Sequence, residues 1–169
     1  MFFLSFLSIR LLNFFYNINS SCIGGLGGFG MEKIVGQVRL GTKTKQLVKE
    51  LKPGEIAVIK HRDLDQLAAQ SLIRSNVKAV INAQASISGK YPNRGPKKLL
   101  EADIPIIDKA GKEVFFQLKT GNKIKIKQEK IIYNNRLISK GKRLQLSQVR
   151  RKLDKIKANM GKELNKFIE

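Results

Sequence analysis

VKAVINAQASISGKYPNRGPKKLLEADIPIID, residues 77–108, is the stretch whose reading decides the fold. Apolar runs frame it, Lys78–Asn82 at the start and Ile104–Asp108 at the end, both short and bounded by turn residues. That is the pattern of strands buried on both faces. Between them Gly95-Pro96 opens a helical run through Glu101. Proline is tolerated there because the N–H it lacks would go unpaired in a first turn. Strand, loop, helix and strand in about 30 residues predict a parallel βαβ unit.

The loop itself, SISGKYPNRGP (86–96), admits two accounts. In one it is a receptor for an anionic ligand such as a phosphate, carboxylate or glycan group. Gly89 would allow close backbone approach and Lys90 would supply charge. Ser86 and Ser88 would donate hydroxyls, and the helix starting near Gly95 would offer free N–H groups. Asn82, Tyr91 and Asn93 complete that candidate ligand-binding set. It is not a phosphate loop of the G-x-x-x-x-G-K-[ST] kind, whose spacing is absent. In the other account Gly89, Pro92, Asn93 and Gly95 build consecutive turns and Tyr91 packs as an anchor.

Upstream, TKTKQLVKEL (42–51) reads as a short basic helix with Thr42 as N-cap, followed by the Pro53-Gly54 turn and a buried strand, EIAVI (55–59). Asp63 then caps a helix whose small-to-apolar face is Leu64, Leu67, Ala68, Ser71 and Leu72. His61, with Asp63, is an accessory candidate. It could act as a base if parallel strands bring its strand end beside the loop, or simply finish the strand. Downstream, EVFFQL (113–118) suggests a short helix, and NKIKIKQ (122–128) with KIIYN (130–134) a hairpin. The whole predicts a mixed α/β domain over 31–140 with parallel pairing among the first strands. In the tail, Val149, Leu153, Ile156, Met160, Leu164 and Phe167 recur at helical spacing and mark an amphipathic helix of about six turns. Its stripe must lie on its own domain, a partner helix, an anionic membrane or a further domain.

The chain has 169 residues and a formal charge of +20, with 33 Lys+Arg against 13 Asp+Glu. Such a surface attracts polyanions. Lysine outnumbers arginine 24 to 9, however, and Ile and Asn are abundant, as AT-rich codon usage would give. Nucleic-acid sites favour the planar fork of arginine. A single cysteine, Cys22, excludes an internal disulfide and a cysteine-based zinc site. One histidine leaves no metal cluster and no Ser-His-Asp set, so no catalytic residue and no metal site is expected. Residues 1–30 carry one charge, Arg10, and five phenylalanines in the first fifteen positions. They make a poor signal peptide and a poor spanning helix. The codons for Gly27-Gly28 can contain a bacterial ribosome-binding sequence just ahead of Met31, so 1–30 is expected to be translated leader.

Three segments resemble a known family: LKPGEIAVIKHRDLD (51–65), the stretch 77–108, and GKRL…ELNKFIE (141–169). They are similar to the N-terminal part of the SteA-like proteins, a cytokinetic-ring family related to thiamine pyrophosphokinases. The most specific piece is N-A-x-x-S-I-S-G-K-Y-P-N-x-G-P, beginning at Asn82. The resemblance covers nearly all of 31–169 and implies a longer bacterial protein. In it, an ATP-binding, thiamine-pyrophosphokinase-like domain lies downstream and a hydrophobic C-terminal region attaches to the membrane. It further implies a cytoplasmic accessory domain without a cofactor, binding an anionic ligand or a division or envelope protein, with 141–169 as connector helix. A nucleic-acid-binding module, or part of a kinase, are the alternatives. At the level of fold, the order of elements is similar to the swivelling β/β/α domains of phosphoenolpyruvate-using enzymes. Those carry a phosphorylated His in the corresponding loop, and this loop has none.

Overall fold

The computed structural model describes residues 33–166, with side chains to Gly161. The expected leader, 1–30, lies outside the described residues, as do the side chains of Leu164 and Phe167.

The described chain is a mixed α/β domain of eight strands and five helices, as expected. The strands are β1 (Lys33–Gly41), β2 (Ile56–Ile59), β3 (Ala79–Asn82), β4 (Ile106–Asp108), β5 (Lys123–Lys127), β6 (Lys130–Tyr133), β7 (Arg136–Lys140) and β8 (Lys142–Arg143). The helices are α1 (Thr44–Glu50), α2 (Gln66–Arg74), α3 (Gly95–Glu101), α4 (Glu113–Gln117) and α5 (Leu146–Lys166). The sheet order is β7-β6-β5-β1-β2-β3-β4-β8. β1 to β4 run parallel, while β5, β6, β7 and β8 pair antiparallel with their neighbours.

β1 does double duty. Its first half, Lys33–Gln37, pairs with β5 and its second half, Val38–Gly41, with β2. It joins the parallel half to the meander, and the sequence reading missed it. Gly36, Gln37, Arg39 and Gly41 dilute its alternation, and only tertiary pairing on both sides makes it a central strand. Arg39 Nε and Nη2 bond Glu55 Oε2 and Oε1 at 2.7 and 3.0 Å, tying β1 to the start of β2.

The two ends of the strand order are neighbours in the chain. Only Gly141 separates Lys140 of β7 from Lys142 of β8, and consecutive Cα atoms are about 3.8 Å apart. The sheet therefore curls until its edges meet. Ser139 Oγ donates to Ala110 O across that meeting. A Cβ on Gly141 would lie 2.5 Å from Ile107 Cγ2 and 2.7 Å from Asp108 O, so this crossing requires glycine.

The curl explains why β2, β3 and β4 are buried at every position. Ile56, Val58, Ala79, Ile81 and Ile107 point inward, meeting Ile34, Ile124, Ile126 and Ile131. Val114 and Leu118 close that interior. Ala57, Ile59, Val80 and Ile106 point outward to Leu47 of α1, Leu64 and Leu72 beside and within α2, and Leu99 of α3. Each such aliphatic side chain is worth about 1.5–3 kcal/mol on full burial. A third, smaller core joins Ile87 of the loop to Val149, Leu153 and Ile156 of α5. The first half of the expected stripe thus lies on its own domain, while Met160 is exposed.

Two capping expectations are corrected. Asp65, not Asp63, caps α2, accepting from Ala68 N at 2.8 Å. The helix starts two residues later than read because Asp63 adopts a positive φ of 53°. At α1 the N-cap position is Lys43, with no side-chain cap bond, so Thr42 does not cap it.

Candidate functional site

The parallel strands end together, and the side chains just past those ends form one connected set. Asn82 closes β3 and Asp108 closes β4. Both share the outward parity of Val80 and Ile106, so both project to the helix side at the carboxyl edge.

Asn82 is fully buried. Its Oδ1 accepts from His61 N at 3.0 Å and Gln84 N at 3.1 Å, while Nδ2 donates to His61 O at 2.6 Å and Ser86 Oγ at 2.8 Å. Ser86, also buried, donates from Oγ and from N to Asp108 Oδ1, at 2.6 and 2.8 Å. The hydroxyl thus relays between an amide and a carboxyl group. Burial pushes the Asp108 carboxyl above its ordinary pKa, and the two Ser86 bonds only partly oppose that.

A second arm leads through Asp63. Its Oδ1 accepts from Ser88 N at 2.6 Å. Desolvation would raise this carboxyl, but the Ser88 amide and hydroxyl, the Arg62 charge and Asn93 outweigh it and hold Asp63 below the usual range. The backbone reinforces the pairing, with Asp63 N on Ala85 O at 2.9 Å and Leu64 N on Ser86 O at 3.0 Å. His61 lies at the rim. Thr44 Oγ1 is 3.0 Å from Nδ1, and Asp65 Oδ2 is 3.4 Å from Nε2. Thr44, the first residue of α1, is buried, while the His61 side chain is half-buried.

The eight expected ligand residues separate into two groups. Asn82, Ser86 and Ser88, with Asp63, are joined by the bonds above. Gly95 belongs with them, because a Cβ there would lie 2.5 Å from Asp65 O, closer still to Leu64 O. Asn93 is half-buried, its N donating to Tyr91 O at 2.9 Å. Gly89, at φ 107°, Lys90 and Tyr91 face outward. Lys90 N bonds Ser88 Oγ at 3.2 Å. Tyr91 is 62% exposed, so it is not the packing anchor expected; Ile87, 4% exposed, takes that place under α5. Lys152 of α5 donates to Ile87 O at 2.6 Å and secures the contact.

The sequence reading missed Thr44, Asp65, Asp108 and Lys152. Asp108 had a signal: a carboxylate ending one parallel strand, at the parity of the Asn ending its neighbour, belongs at the same sheet edge. Lys152 had none, since its partner is a backbone carbonyl 65 residues away. Among the described residues no buried side-chain N or O lacks a partner, and no group of three His, Cys, Asp or Glu could hold a metal. Among them, too, no helix is long and apolar enough to cross a membrane.

No family model and no curated protein matches the chain. Among the solved structures similar to it are three different proteins. The 3-isopropylmalate dehydratase LeuD of Methanocaldococcus jannaschii has a TM-score of 0.46 at 16% identity, over 78% of this chain and 99% of that one. A UPF0107 protein solved by NMR has a TM-score of 0.38 at 16% identity, over 57% and 86%. RraAS2 of Streptomyces coelicolor, from the RNase ES inhibitor RraA family, has a TM-score of 0.40 at 10% identity, over 82% and 78%.

Proposed function

We propose that residues 31–169 act as a non-catalytic accessory domain of a SteA-like division or envelope protein, with α5 as the connector to its nucleotide-binding domain. One observation carries this reading. The three segments of the resemblance converge on a single hydrogen-bonded unit: His61 and Asp63 from the first, Asn82, Ser86 and Asp108 from the second, Lys152 from the third. The long polar motif thereby builds a platform, and Ile87 on its crest receives Val149, Leu153 and Ile156 of α5. A motif whose Asn, Ser and Asp side chains bond one another suits holding a helix at a set angle better than turning over substrate. Lys90 and Tyr91, on the outer side, remain for an anionic ligand or a protein partner.

Two measurements test this reading. The purified chain, given Mg-ATP and thiamine, should transfer no diphosphoryl group and form neither thiamine diphosphate nor AMP; turnover would replace the accessory role with an enzymatic one. In dividing bacterial cells a fluorescent fusion should collect at the septum, and a uniformly diffuse signal would remove the division assignment.

A further inference from the structure

The strand register places lysines opposite one another with unusual regularity. Lys33 of β1 pairs with Lys127 of β5, Lys127 with Lys130 of β6, and Lys130 with Lys140 of β7. Directly paired residues share a sheet face, and like charges so placed repel. Four lysines thus stand in one row across four adjacent strands, all exposed. With strands about 4.8 Å apart the row spans about 14 Å.

The row runs into a groove. Lys130 and Lys140, together with Lys142 and Arg143, line a concavity of about 720 Å³ between the meander and the start of α5. Among the described residues Glu129 is the one acid lining it, with Oε2 3.9 Å from Lys140 Nζ and Oε1 accepting from Arg143 N at 3.4 Å. A single carboxylate cannot neutralise the row. Codon bias does not account for the placement either. Between Lys123 and Lys157, thirteen of 35 residues are Lys or Arg, against Glu129 and Asp154 alone. Uniform bias would spread lysines along the chain.

We infer that this lysine row and its groove bind the phosphate backbone of single-stranded nucleic acid, without regard to sequence. An aligned row of repelling charges is relieved by a ligand that is itself a row of opposite charges. The concavity is of the size that takes a short piece of one strand. Its other linings, Gln128, Gln145 and Gln148, can donate to phosphate and sugar oxygens. Among the described residues no aromatic side chain lines it, so they offer no base stacking and none of its selectivity. A planar bilayer does not follow a concave groove, and the described residues of the groove offer no aromatic or aliphatic side chain to insert. The inference is independent of the accessory role proposed above.

The test is fluorescence anisotropy of the full chain with labelled oligo-dT and oligo-U of about 20 nucleotides, between about 50 and 200 mM salt. Binding should weaken steeply with salt, with a log–log slope near about −3 for four or five phosphate contacts. Changing Lys127, Lys130 and Lys140 together to Gln should weaken binding at least about tenfold and flatten the slope by about 2. Changing Lys45, Lys49 and Lys60 to Gln removes the same charge from α1 and the end of β2. That triple should bind within about twofold of the parent, since charges away from the contact are screened. Equal losses in the two triples would reduce the effect to bulk charge and overturn the inference. So would no binding at the lowest salt, or binding of phosphatidylglycerol vesicles in place of the oligonucleotides.

Discussion

Asp63 and Asp108 sit about the same loop and respond to pH in opposite directions. The Asp63 carboxyl, held down by Ser88, Arg62 and Asn93 against its desolvation, contributes stability that is complete above the unfolded value of about 3.9 and lost as pH falls through the lower folded value. Asp63→Asn tolerates the positive φ and keeps an acceptor for Ser88 N. It should cost about 1 kcal/mol at neutral pH, a deficit that closes in strong acid. Asp108 is raised by burial, so its contribution is complete below the unfolded value and declines as pH rises through the folded one. Asp108→Asn keeps the Oδ1 acceptor for both Ser86 donors and never ionises. Its stability relative to the parent should therefore rise from about pH 4 to pH 8. Urea midpoints check both, the Asp63 variant followed from neutral pH down into strong acid and the Asp108 variant from about pH 4 to pH 8; differences from the parent that change in the same direction with pH would refute the division of roles between these carboxyls.

Among elements, the meander carries the clearest electrostatic cost. In the absence of a polyanion, Lys130 repels Lys127 on one side and Lys140 on the other. Lys130→Thr should therefore stabilise the protein, by about 0.2–1 kcal/mol at low ionic strength. The gain should fade toward 1 M salt, where screening acts within about 3 Å. Lys123 faces Gln37 across the β1–β5 ladder, so Lys123→Thr isolates the change in β-propensity alone. Thermal melts of both variants over a salt series decide the matter, and a salt-independent gain at position 130 would mean that repulsion is not its source. The β5–β6 hairpin was legible from NKIKIKQ and KIIYN because Ile124 and Ile126 alternate with exposed or half-buried lysines. The short helix α3 was legible from Gly95-Pro96. β1 was not, because its two glycines and its polar positions are tolerated only between two partners.

In the molecule as a whole, stability depends on one closure. The curled sheet has its parallel half covered on both faces, and its two edges converge at Gly141. Gly141→Ala would press a methyl group against Ile107 Cγ2 and Asp108 O and should cost about 1–3 kcal/mol by overpacking. Hydrogen exchange should show the damage first in β7 and β8, with β2 and β3 protected until global unfolding. Uniform loss of protection would mean that the edges carry no separate closure. The third core, under α5, is small and separate from the one inside the curl, so the helix rests on the loop and on α3, where Arg150 Nη2 meets Glu101 Oε1 at 3.2 Å.

The sequence by itself determined the alternation of elements from β2 to β6, the parallel pairing of the middle strands, the helical tail and the concentration of special residues in 82–96. These follow from local periodicity and turn chemistry, which act over a few residues. Tertiary structure alone decided which of those special residues face inward. It also decided that Asp63 turns to Ser88 N and leaves the cap of α2 to Asp65, and that Ile87 rather than Tyr91 anchors the loop. It set four lysines in one row. Each of these depends on strand register or on partners more than twenty residues away, and a local pattern carries no information about either.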